Sequence, residues 1–185
     1  MVLLDKNFIC AWPFGILKGL HWFVPFIIIA VSFPTNSLYG SVGFVLYSSW
    51  NIFFVCLISY IVYLFGIHKI DIHFGGGFAF IPFALIDFII ALIGVLVYAV
   101  SSFICAIAVS TSIGYYGSRV MITFVIVTAL SILSTASFAY FSILIYRSIP
   151  NGQFRYLFSM IIEGNKIISR NLPGPGGQSS TVPHI

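Results

Sequence analysis

Ionisable side chains are nearly missing from this sequence. Four Asp/Glu and eight Lys/Arg make 6% of its 185 residues, where a soluble domain carries about 25%. So few charges cannot cover a water-exposed surface, and a disordered chain has the opposite composition. Cysteine is also scarce, with three residues, too few for a disulfide scaffold. No Asn-x-Ser/Thr sequon occurs, which argues against a large ectodomain. What fills the chain is apolar: 60% hydrophobic, 18% aromatic, with a mean hydropathy of +1.10. That is the composition of an integral membrane protein.

No charge falls between Lys18 and Lys69, from Phe88 to Ser118, or from Val120 to Tyr146. Each run exceeds the ~20 residues a helix needs to cross ~30 Å of hydrocarbon. Pro34-Thr35-Asn36-Ser37 divides the first run. The pattern predicts four spanning helices at roughly 15–33, 42–67, 81–109 and 120–146. Runs of this length are too long for strands, and the alternation of a spanning barrel is missing. The first run ends in Pro34-Thr35-Asn36 rather than a small-x-small cleavage site, so helix one is expected in the mature chain.

Basic residues set the expected orientation. With a cytoplasmic N-terminus, Lys6, Lys18, Lys69, Arg147, Arg155, Lys166 and Arg170 lie inside and only Arg119 lies outside. Both termini are therefore expected in the cytoplasm. The outer connections, about 34–41 and 110–119, are too short to fold alone. Cys56 and Cys105 fall inside helices, and Cys10 sits near the start of helix one as a candidate for palmitoylation.

The domain reading is a cytoplasmic N-terminus (1–14), a four-helix membrane domain (15–147), an interfacial segment (148–170) and a flexible Pro/Gly/Ser tail (171–185). Small residues at three- and four-residue spacing let helices approach closely in lipid. Gly94, Ser102, Ala106 and Ser110 on helix three, and Ser131 and Thr135 on helix four, are the candidate packing positions. They suit internal packing of the bundle or, in the sharper reading, self-association. In the segment 153–170, Phe154, Leu157, Phe158, Ile161, Ile162 and Ile168 recur at helical spacing opposite Arg155, Ser159, Glu163, Lys166 and Arg170. This predicts an amphipathic helix lying in the interface, as an anchor or as a sensor of anionic membrane.

Asp87, inside helix three, is the most informative residue, because an intramembrane carboxylate needs a partner. Lys18 and His21, one turn apart on helix one, lie at comparable depth, so an Asp87–Lys18 or Asp87–His21 contact would tie the two helices together. A proton relay would need a second acidic residue within the helices, and there is none. His68, Asp71 and His73 resemble a metal set, but nothing else completes one beside the mobile Gly75-Gly76-Gly77. Gly-Gly-Gly without a following Lys-Ser/Thr is not a phosphate loop. No catalytic residue, metal or cofactor is expected, and the basic balance does not imply nucleic acid.

The stretch PFGILKGLHWFVPFIIIAVSF, Pro13 to Phe33, resembles the entry into helix one of MARVEL-domain proteins. FALIDFIIALIGVLVYAVSSFICAIAV is similar to that family's third helix, with an acidic residue near its start. The resemblance covers roughly residues 8–147, and Lys18 and Asp87 stand at the family's basic and acidic motif positions. It implies an M-shaped, non-enzymatic four-span protein of vesicle trafficking and membrane apposition, like the MAL, chemokine-like MARVEL and synaptogyrin groups. The chain lacks the long cysteine-bearing outer loops of occludin-like members, the Trp-Gly-Leu-Trp loop of claudins and the Cys-Cys-Gly loop of tetraspanins. The expected function is a scaffold organising membrane lipids and other integral membrane proteins, at the plasma membrane or on vesicles. The alternative is an accessory subunit of a channel, pump or junctional complex; a small channel or transporter ranks behind both.

Overall fold

The computed structural model describes residues 6–35, 42–69, 72–74, 77–79, 81–115 and 118–169. Four helices are long and apolar enough to cross a membrane: α1 (Phe14–Ser32), α2 (Val42–Leu64), α3 (Phe83–Tyr115) and α4 (Ser118–Arg147). They are the helices of a multi-pass membrane protein. A single helical turn, Lys6–Ile9, precedes them. At 33 residues α3 is about 50 Å long, some 20 Å more than the hydrocarbon is thick.

The inward residues follow one rule. On α3 they are Ala84, Asp87, Ala91, Gly94, Tyr98, Ser101, Cys105, Ala108 and Ser112, alternating steps of three and four. On α4 the series Phe124, Val127, Ser131, Ser134, Phe138, Phe141 and Ile145 repeats the pattern. This 3.5-residue period is the seam of left-handed helix packing. It also redraws the packing positions expected from small residues. Gly94 and Ser131 lie in the seam and Ser102 and Thr135 are half-buried, but Ala106 and Ser110 are exposed. Steps of four alone drift off a 3.5-residue seam, which is why Ala106 falls on the outer face.

Gly94 shows what its missing side chain permits. A Cβ there would stand 2.8 Å from Cγ of Phe138. That ring stacks between His21 (3.9 Å between centroids) and Tyr98 (5.9 Å), so the glycine lets α3 press against an aromatic layer joining α1, α3 and α4.

The segment after α4 differs most from expectation. No amphipathic helix forms over the described residues 153–169 of the expected segment 153–170. Phe154–Ser159 is a 3-10 helix, and β3 (Met160–Glu163) pairs antiparallel with β4 (Lys166–Ser169). Register Glu163↔Lys166 leaves Gly164-Asn165 as a two-residue turn, a sequence suited to tight hairpins. Leu157, Met160 and Ile162 are buried, Ile161 is half-buried, and Phe154, Arg155, Phe158 and Lys166 are exposed; Arg170 and the tail lie outside the described residues. The alternation of Met160 and Ile162 inward decides for strand, since a helix would have turned Ile161 in with Leu157.

The hairpin closes the end of the bundle where α1 and α3 begin and α2 and α4 finish. The Gly164 carbonyl accepts hydrogen bonds from the Phe14 and Gly15 N–H groups (3.0 and 3.3 Å), satisfying donors that a helix N-terminus leaves open. Gly15 is required there, because a Cβ would run into the Phe8 carbonyl. Between α2 and α3 the loop expected to be mobile contains a second short ladder, β1 (Ile72–Phe74) with β2 (Gly77–Ala79).

Candidate functional site: a closed polar network beneath the hairpin

Asp87 begins the second turn of α3 and is 4% exposed; Lys18, on the second turn of α1, is 5% exposed. Neither could stay charged in hydrocarbon without a partner. The structure brings them together, with Lys18 Nζ 2.8 Å from Asp87 Oδ1. Two residues of α2, one turn apart, complete the set. Ser59 accepts from Lys18 Nζ at 2.6 Å and donates to Asp87 Oδ1 at 2.8 Å, while the Tyr63 hydroxyl donates to Asp87 Oδ2 at 2.6 Å. The ammonium also lies 3.9 Å from the Tyr63 ring centroid, a cation–π contact. Three helices are thus joined through one carboxylate, each of whose oxygens is bonded.

His21 belongs to the same layer but does not reach Asp87. Its ring stacks on Phe138 and meets Phe141 edge-on at 5.0 Å. Its Nε2 is buried and has no hydrogen-bond partner among the described residues. Beside it Lys18, His21, Cys56, Ser59, Asp87 and Phe138 line a cavity of ≈ 10 Å³, the space one water needs.

A column of rings links this layer to the hairpin end. Phe8 stacks on Tyr63 at 5.3 Å, and Tyr63 stacks on His68 at 4.2 Å. His68, just past α2, is 2% exposed, and neither ring nitrogen makes a well-formed hydrogen bond among the described residues. Burial, with help from the Lys69 charge, lowers its pKa to about 4, so the ring is neutral at pH 7. The metal set suggested by His68, Asp71 and His73 cannot be drawn: Asp71 and the His73 side chain lie outside the described residues. At the rim, Glu163 lies 3.7 Å from Lys69 and 3.8 Å from Lys166, long and part-exposed pairs worth little. Cys10 is exposed beside the N-terminal turn.

A second feature opens sideways. Val55, Ile58, Ser59, Val62, Phe83, Ile86 and Ile90 line a groove of ≈ 230 Å³ between α2 and α3. Its walls are apolar, and Ser59 is common to the groove and the ion-pair layer.

The charge pattern does not mark Ser59 and Tyr63, and His68, weighed from the sequence only as part of a metal set, stands instead in the ring column. Ser59 and Tyr63 had a usable signal, being i and i+4 polar positions on α2 near the depth of Asp87. Comparison with known protein families, curated proteins and solved structures finds no match to this chain.

Proposed function

We propose that the protein is a non-enzymatic four-span membrane scaffold, of the kind its resemblance to MARVEL-domain proteins implies. It associates laterally with lipids and other membrane proteins, with both termini in the cytoplasm and the bundle in the plasma membrane or in vesicles. The observation that carries this reading is the closed state of the Lys18–Asp87 layer. A transport site must exchange its partners, whereas here Ser59, Tyr63 and Lys18 satisfy both carboxylate oxygens and the adjoining space takes a single water. The pair acts as a bolt between helices. The α2–α3 groove supplies a lateral, apolar surface for a lipid chain, and seven of the eight basic residues on the terminal side support the orientation.

The purified chain in liposomes is expected to pass neither ions nor small solutes and to retain lipid from its membrane of origin through mild detergent. Reproducible selective flux that disappears in Asp87→Asn would sink this reading. The alternative, an accessory subunit of a larger complex, is favoured by α3 exceeding the hydrocarbon thickness by about 20 Å, which leaves helical surface for a partner outside the bilayer. Native electrophoresis separates the two: one large stoichiometric complex marks a subunit, and polydisperse lipid-rich assemblies mark a scaffold.

A further inference from the structure

The polar side chains of the ion-pair layer turn inward; Asn51 turns outward. It is the one Asn or Gln within the four long helices. It stands two residues from the midpoint of α2, about 3 Å from the centre of the span. One Nδ2 hydrogen goes to the Tyr47 carbonyl at 2.7 Å. A carboxamide carries two donor hydrogens and an oxygen with two lone pairs. The second N–H and Oδ1 of Asn51 therefore face hydrocarbon with no hydrogen bond among the described residues, a costly arrangement in lipid. Three outward Ser/Thr hydroxyls on α3 and α4 do not share this deficit. Ser110, Thr111 and Thr123 each return their hydroxyl to a carbonyl one turn back.

The surroundings of Asn51 are those of a helix-pairing face. Phe44, Tyr47, Asn51, Phe54, Ile58 and Ile61 are all exposed, spaced alternately by three and four, as the a and d positions of a two-helix seam are. Tyr47 is 73% exposed, and Trp50 stacks on Phe54 at 5.3 Å, which stiffens the surface beside the amide. One polar residue at a central a position fixes register between paired helices, and buried carboxamides hydrogen-bond across helices in membranes.

We propose that this face of α2 binds the same face of a second copy of the chain within the bilayer, with Asn51 meeting its own counterpart across a two-fold axis. The remaining groups decide the occupant. One N–H and one carbonyl form a self-complementary pair, so each amide donates to the other's Oδ1. A lipid chain offers neither donor nor acceptor at mid-bilayer. An unrelated helix would need a side chain that both donates and accepts at the same depth, whereas a second copy supplies the matching amide by symmetry. The inference deepens the scaffold reading, since it names one lateral partner. Its readout is distinct: flux would overturn the scaffold and leave the dimer, and a monomer would overturn the dimer and leave the scaffold.

The test uses the full chain in phosphatidylcholine vesicles, with separate donor- and acceptor-labelled populations tagged at the exposed Cys10. Energy transfer should rise with protein density and saturate at one partner per chain. Asn51→Leu should raise the dissociation constant about 3- to 15-fold, and Asn51→Gln should restore part of the loss. With Cys10→Ser to remove the exposed thiol and an added oxidant, Phe54→Cys should give disulfide-linked dimers, whereas Phe103→Cys, on the outer face of α3, should not. No density-dependent transfer, unchanged association in Asn51→Leu, or equal cross-linking through Phe103→Cys would each overturn the proposal.

Discussion

Asp87 and Asn51 are both polar residues set in helices that cross hydrocarbon, and their surroundings answer the same difficulty in opposite ways. Asp87 finds its partners inside the chain: Lys18, Ser59 and Tyr63 reach it from two other helices. Asn51 finds one backbone carbonyl on its own helix and leaves the rest of its amide open. A membrane offers no water to make up the difference. The closed site therefore holds one molecule together, and the open one calls for a second. Substitutions at the first should change folding with little effect on association; at the second, the reverse.

The largest effect is expected at the closed site. Asp87→Ala strands the Lys18 ammonium among rings and should remove about 3–5 kcal/mol of stability, read as a fall in unfolding temperature in mild detergent. The Lys18→Met, Asp87→Leu double variant should recover most of that loss, because apolar side chains of similar size need no partners. If the single variant unfolds at the wild-type temperature, the network does not hold the helices.

Next comes pH. The neutral, stacked His68 has its pKa lowered to about 4, from an ordinary value of 6.5, by burial and by Lys69. The unfolded chain then binds a proton before the folded one does. Stability is full above pH 6.5 and falls between 6.5 and 4, by at most about 3 kcal/mol. The charges of Lys69, Lys18 and Asp87 act on this ring and Tyr63 stacks on it, so the comparison must keep them. His68→Phe preserves the stack without the titration, and its unfolding temperature should drop less between pH 7.5 and 4.5 than that of the wild type.

Tyr63→Phe is a smaller change. It keeps the ring column and leaves Asp87 Oδ2 without its donor, for about 1.5–3 kcal/mol. Smallest of all is Asn51→Leu. In dilute detergent, where chains are apart, it should shift stability by no more than about 0.5 kcal/mol, in contrast to its effect on association in vesicles. A large loss of monomer stability would place Asn51 with Asp87 and remove the contrast.

The long helices were readable because a charge-free run of this length has one solution in lipid, and α1 and α2 begin within a residue of where the pattern puts them. Asp87 and Lys18 could be matched by depth, since each is too costly to leave alone. Ser59 and Tyr63 could not be chosen among many similar residues, because which face of α2 turns inward depends on α1 and α3 together. The terminal hairpin was obscured for a different reason. Leu157, Ile161 and Ile168 fit a helical period, while Met160 and Ile162 fit a strand period, and hydrophobicity alone cannot choose between them. The decisive signal was Gly164-Asn165, two turn-forming residues between β-branched runs. Asn51 was visible throughout as the only carboxamide in a span, but its meaning required knowing that it faces outward.

The hydrogen bonds from Phe14 and Gly15 to Gly164 also bear on the order of assembly. Synthesis runs from the N-terminus, so α1 enters the membrane long before the residue that finishes it exists. Until about 150 further residues have been made, its first donors have no carbonyl to meet. The earliest helix is thus the last completed: a chain that stops after α4 has all four spans but lacks the Gly164 carbonyl that meets the first donors of α1.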